Sequence, residues 1–317
     1  PTCARGTPQR PILTDYTLFR PVGNKLNVLY KEAGMAGRDD FPLGARAAGA
    51  PVWFSRLFPY LLLALALSAR VVAVGRYITP DEPTWVYRSI QFREALLGSN
   101  WAGTLVAGHP GVITTWLGAV AMSLQMLFSP VAREAYEWLT TMAFLTPDNV
   151  EAFRRLALLM DSGRVAVAIV NSLGIVATYL LARRLWGWQV ALVAGLFLAL
   201  DPFLAGLSGL LHVDGLSATF VTISLLALMV GVRSSSNASD RSRSGLWYAL
   251  AGSMGALAVL SKTPTLLLIP VTGLAMAWPL VGNREISARA RAAAFFLHVV
   301  VWGVAFAAVI LLLFPAA

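Results

Sequence analysis

The chain has 317 residues, 57% hydrophobic and 13% charged, with a net charge of +9 and a mean hydropathy of +0.66. A soluble domain carries about 25% charged residues, so this composition excludes a globule covered by water and makes lipid the solvent. The single cysteine, Cys3, excludes an intramolecular disulfide framework, and positive charge spread between apolar segments argues for membrane orientation and against nucleic acid as a partner.

In chain order, residues 1–56 are polar and rich in Lys and Arg, and read as a cytoplasmic arm. The remainder, 57–317, reads as a transmembrane domain. A membrane helix needs roughly 20 apolar residues, and stretches of that kind fall at 57–76, 165–181, 188–204, 213–232, 246–260, 264–281 and 292–314. A further apolar stretch, 112–131, either crosses or lies against the membrane. Short basic connections hold Arg183 and Arg184, then Arg233, Arg241 and Arg243, then Arg284, Arg289 and Arg291. Placing these and the N-terminal arm in the cytoplasm satisfies the positive-inside rule only if 112–131 does not cross. The predicted fold is therefore all-α: a polytopic transmembrane helical bundle of about seven spans. Its long external first loop, 77–164, carries juxtamembrane helices.

Four features carry polar chemistry. The loop opens with Asp81-Glu82-Pro83, where Asp81 is either a helix cap followed by Pro or a general base at the membrane surface. Gly108-His109-Pro110-Gly111 is either a turn or a ligand-bearing motif. Asp201, His212 and Asp214 lie in an otherwise apolar run. Charge at membrane depth costs about 2.5–3.5 kcal/mol, so these groups face a polar cavity unless they sit among the headgroups. Lys262, between two spans, either snorkels to water or holds a lipid phosphate. Arg70, inside the first span, is costly for the same reason as the acids. In the chosen topology Asp81, His109, Asp201, Asp214 and Lys262 share one side of the membrane. No HExxH or similar zinc pattern is present and no cofactor is called for, though the acids can hold a divalent ion.

At these residues the chain resembles the GT-C glycosyltransferases, specifically the protein O-mannosyltransferases and aminoarabinose lipid A transferases. Asp81-Glu82 matches their acidic pair, His109-Pro110-Gly111-Val112 takes the place of a basic-Pro motif, Leu211-His212-Val213-Asp214-Gly215-Leu216 matches an Asp loop, and Leu260-Ser261-Lys262-Thr263-Pro264 matches a Lys-Pro segment. The resemblance runs from about Arg56 to the end. It implies an inverting transfer from a polyprenyl-phosphate-linked sugar to a lipid, glycan or protein acceptor at the periplasmic face of a bacterial inner membrane. Asp81 would be the base, with Glu82 and Asp214 beside it, and Arg88, His109, Lys262, His212 and Asp201 around the carrier phosphate. Membrane lipids are further partners. Two departures stand out: Ser208-Gly209-Leu210 occupies a place where relatives often carry an Arg, and the sequence stops at Ala317 where relatives continue, so a fragment or a shortened relative is expected. The alternative function is a non-catalytic subunit of a larger membrane assembly built on the same fold. A transporter would show inverted repeats, and none is visible.

Overall fold

A computed structural model describes residues 51–317, apart from 73, 76, 108–110, 237–240, 283–286 and 317. Among the described residues the structure is helical, with no strand. Helix α1 (Val52–Val71) is followed by α2 (Glu82–Leu97), α3 (Val112–Phe128) and α4 (Pro130–Thr140). Then come the long α5 (Val150–Trp186), α6 (Trp188–Leu200) and the short α7 (Pro202–Leu207). The last helices are α8 (Val213–Ser236), α9 (Arg241–Ser261), α10 (Leu268–Gly282) and α11 (Ala288–Leu313).

Five helices are each long and apolar enough to cross a membrane: α1, α5, α8, α9 and α11. The other two expected spans are divided. The apolar run 188–204 stops at Leu200, because the Asp201 carboxylate accepts the Leu204 amide at 2.7 Å and Pro202 occupies the first turn of α7. The run 264–281 begins as a 3₁₀ turn, Thr263–Leu267, with Pro264 in its first turn, before α10. The ambiguous stretch 112–131 is helical only to Phe128, where Ser129 caps α4 and Pro130 starts it. The expected boundary at Arg56 falls inside α1, and residues 1–50 lie outside the described residues.

Helix α5 is the centre, packing against α1, α2, α3, α4, α6 and α8, while α8, α9 and α11 form a row beyond it. Its 37 residues span about 55 Å at about 1.5 Å each, well beyond a hydrocarbon core of roughly 30 Å. The excess is the polar first third, with Glu151, Arg154, Arg155, Asp161 and Arg164. In lipid, apolar burial does not drive helices together, and small residues at the contacts do that work through close packing. A Cβ on Gly252 would lie 2.3 Å from the Trp302 carbonyl oxygen, and one on Gly174 would lie 2.1 Å from Thr219 Cγ2. These glycines set the α9–α11 and α5–α8 separations.

The bundle has two unlike ends. At one, Arg183 in the last turn of α5 donates to the Ser55 carbonyl at 3.4 Å, and Arg233 at the end of α8 donates to the Leu185 carbonyl at 2.6 Å. The described part of the connections there carries Arg183, Arg184, Arg233, Arg243, Arg289 and Arg291 and no acid. Opposite it, Arg70 is buried. Its guanidinium donates to Ser208 Oγ (2.8 Å) and to the carbonyls of Ala66 (2.9 Å), Leu198 (3.2 Å) and Ala199 (3.4 Å). It thereby covers the open carbonyl end of α6 with positive charge.

Candidate functional site

The acidic pair divides at the start of α2. Glu82 is fully buried and Asp81 is 75% exposed. Glu82 Oε1 accepts from Arg164 Nε at 2.8 Å and from the Leu211 amide at 3.1 Å. Its Oε2 accepts from Arg164 Nη2 at 2.6 Å, the Thr79 amide at 3.1 Å and Thr79 Oγ1 at 3.0 Å. Burial pushes this carboxyl up, but the Arg164 hydrogen bond and charge, with the Thr79 and Leu211 amides, outweigh it. The group is held below the ordinary carboxylate value. A bidentate pair so fully bonded is the geometry in which a buried ion pair is tolerated.

This knot fixes a third segment. The Leu211 side chain is buried between Gly163 and Gly118: an added Cβ would come within 2.8 Å of it at the first glycine and 3.6 Å at the second. Asn171 on α5 donates to the Ser208 carbonyl at 3.1 Å and accepts from Thr219 Oγ1 on α8 at 2.7 Å. The 208–212 turn is thus tied to α2, α5 and α8, and His212 lies beside Asp81.

The result is a row of ionisable groups. His212 Nε2 is 3.6 Å from Asp81 Oδ2, and His212 Nδ1 is 3.6 Å from Asp214 Oδ2. Nδ1 also accepts the Asp214 amide at 3.4 Å, which in a neutral ring puts the proton on Nε2, towards Asp81. Lys262 Nζ pairs with Asp214 Oδ1. Trp85 meets the His212 ring edge-on with centroids 6.3 Å apart, and the Arg88 guanidinium lies over Trp85 at 4.8 Å. Four separate chain positions, near 81, 88, 212–214 and 262, converge here. Asp81 takes the N-cap position of α2 but makes no capping hydrogen bond, so its carboxylate is directed to the site.

Asp201 is engaged elsewhere, capping α7. His109 lies outside the described residues, although Gly111 beside it packs on Trp85, where an added Cβ would fall 2.2 Å from the ring. An apolar pocket of about 130 Å³ adjoins the row, lined by Trp85, Leu105, Val112, Thr115, Leu260 and Phe314 among others. Among the described residues no three His, Cys, Asp or Glu side chains are grouped to hold a metal ion. Sequence reasoning missed Arg164, taken only as the edge of the external loop. The signal was there: an Arg at a span boundary needs a partner for the reason Arg70 does.

Five helices long and apolar enough to cross a membrane, with acids and bases gathered at one end beside an apolar pocket, define a helical membrane protein with an ionisable site. Residues 156–313 match the family model of the dolichyl-phosphate-mannose-protein mannosyltransferases, a family of GT-C-type membrane glycosyltransferases. The match includes Arg164, Asp201, His212, Asp214 and Lys262 and begins after Asp81, Glu82 and Arg88. No curated protein matches the chain.

Proposed function

We propose that the chain transfers a sugar from a polyprenyl-phosphate carrier to an acceptor hydroxyl or amine, with inversion, at the row running from Asp81 to Lys262. The observation that carries this reading is Asp81 itself: an exposed carboxylate, not used as a cap, 3.6 Å from His212, beside a pocket apolar enough for a prenyl chain. Asp81 takes the acceptor proton as the acceptor's lone pair forms a bond to the anomeric carbon. The bond from that carbon to the phosphate oxygen breaks, and its electron pair leaves with the polyprenyl phosphate. Lys262, with Arg88 and His109, balances that charge. Asp214 holds Lys262 and His212 in place, the His212 Nε2–H faces Asp81, and Asp81 releases the proton to water. Glu82 acts through Arg164 and Leu211 to place the site. The carrier supplies the leaving group, so no nucleotide or Gly-rich phosphate loop is needed.

In this reading the chain crosses seven times, with α6–α7 and the 3₁₀ turn with α10 crossing as broken spans, and α2, α3 and α4 lying on the external side with the site. Two contacts favour it: Gln125 near the end of α3 donates to the Leu158 carbonyl in the polar third of α5 at 2.8 Å, and Trp116 Nε1 donates to the Leu313 carbonyl at the end of α11 at 2.8 Å. Both ends of α3 thus stay on the side of the acids. A bacterial inner membrane with the site facing the periplasm is the setting proposed.

The test is sugar release from polyprenyl-phosphate sugars by purified protein. General bases contribute about 10²–10⁴-fold, so Asp81→Asn is expected to lower release by at least about 100-fold with the thermal transition unchanged. Equal release by both proteins overturns the base role. No release from any donor by the wild type favours the non-catalytic subunit reading.

A further inference from the structure

The basic end of the bundle carries a second cavity. It is an open groove of about 730 Å³ between the last turns of α5 and the first turns of α9, lined also by Ile223 of α8. Two facing stripes wall it: Ala177, Leu181 and Arg184 on α5, and Trp247, Leu250 and Met254 on α9. Each stripe follows helical spacing along one face. From Trp247 to Met254 the wall rises about 10 Å, at about 1.5 Å per residue. Arg183 and Arg184 stand at the mouth, and the Arg184 guanidinium is laid over the Trp247 ring at 4.7 Å.

The groove therefore joins a deep apolar slot to a doubly cationic mouth. Among the described residues neither arginine makes an ion pair, and the described connections at that end hold no acid. A guanidinium stacked on an indole keeps its fork open for oxygen ligands. Basic pockets between helices on the cytoplasmic side suit anionic lipid headgroups. We propose that this groove binds an acidic glycerophospholipid of the bilayer, with its phosphate at Arg183 and Arg184 and one acyl chain along Leu181, Ile223, Leu250 and Met254. The occupant is a bilayer lipid and not the carrier, because the groove lies at the opposite end of α5 and α9 from the Asp81–Lys262 row. The proposal is independent of the transfer reaction.

The test uses the 317-residue protein in nanodiscs of equimolar dioleoylphosphatidylglycerol and dioleoylphosphatidylcholine, followed by native mass spectrometry of retained lipid. The wild type is expected to retain phosphatidylglycerol over phosphatidylcholine. Arg183→Gln with Arg184→Gln is expected to reduce that retention at least about tenfold, since each basic group near the surface contributes appreciably. Leu250→Trp keeps both arginines but fills the slot, and is expected to lose the lipid too. If the double variant does not yield monodisperse protein, Leu250→Trp decides: undiminished phosphatidylglycerol overturns the site. Unchanged retention in the double variant, or equal retention of phosphatidylcholine by the wild type, overturns it as well. Preferential retention of an added polyprenyl phosphate would make this a carrier site and end the proposal.

Discussion

At Glu82 and Asp81, adjacent residues of one type of chemistry take opposite parts because one is buried and the other is not. Glu82 holds its charge only while Arg164, Thr79 and Leu211 surround it. Removing one partner of a buried pair costs about 3–5 kcal/mol, so Glu82→Gln is expected to lower the melting temperature sharply. A transition within a degree of wild type would show that the knot contributes nothing. The folded carboxyl lies below its ordinary value, so its stabilisation is fully present above the unfolded value of about 4.3 and is lost as pH falls through the folded value. The melting temperature of wild type should fall below about pH 4, and Glu82→Gln should lack that part of the acid-side slope. Lys262 is the cation nearest the proposed phosphate. A hydrogen bond to a charged group contributes about 1.5–3 kcal/mol, so Lys262→Ala should raise the apparent KM for donor at least about tenfold. An unchanged KM would assign Lys262 to pairing with Asp214 alone.

At the scale of elements, glycines decide which helices touch. Their positions read in the sequence as neutral apolar residues inside spans, and their partners are far away: Trp302 for Gly252, Thr219 for Gly174, Leu211 for Gly163. Gly252 faces backbone, which has no rotamer to yield. Gly252→Ala should therefore part α9 from α11 and destabilise the protein by about 1–3 kcal/mol, measured as a shift in thermal transition. Gly245→Ala, where an added Cβ meets nothing within 4 Å, is the matched control and should be neutral or slightly stabilising. A site-directed pair with equal effects would remove close packing as the cause. The breaks at Asp201-Pro202 and Thr263-Pro264 also belong to this scale. Both were marked by Pro in the sequence, yet each lies inside an apolar run long enough to pass for one unbroken span.

For the whole molecule, the separation of charge orders the bundle. Among the described residues, the acids lie at the end that holds the site, several of them paired with arginines there, while the opposite end carries Arg183, Arg184, Arg233, Arg243, Arg289 and Arg291 with no acid beside them, in the arrangement that the positive-inside rule associates with the external and cytoplasmic faces. A cysteine at exposed Ser99, in the turn after α2, should react with an impermeant thiol reagent added outside cells expressing Cys3→Ser protein. One at Gly245, near the start of α9, should react only after permeabilisation. The reverse pattern would invert the proposed topology.

Hydropathy and charge in the sequence were enough to establish a helical membrane protein, to bound most of its apolar segments within a few residues, and to single out Asp81, His212, Asp214 and Lys262. These are local properties: a span is a run of apolar residues, and an ionisable residue in such a run is costly wherever the chain goes. The tertiary structure alone decided that Asp81 faces outward while Glu82 is buried, that Arg164 is its partner 82 residues away, that Asp201 caps a helix, and that His212 bridges two acids. Each of these depends on which helices lie side by side. That is set by close contacts such as Gly163 on Leu211, which no run of residues in one segment records.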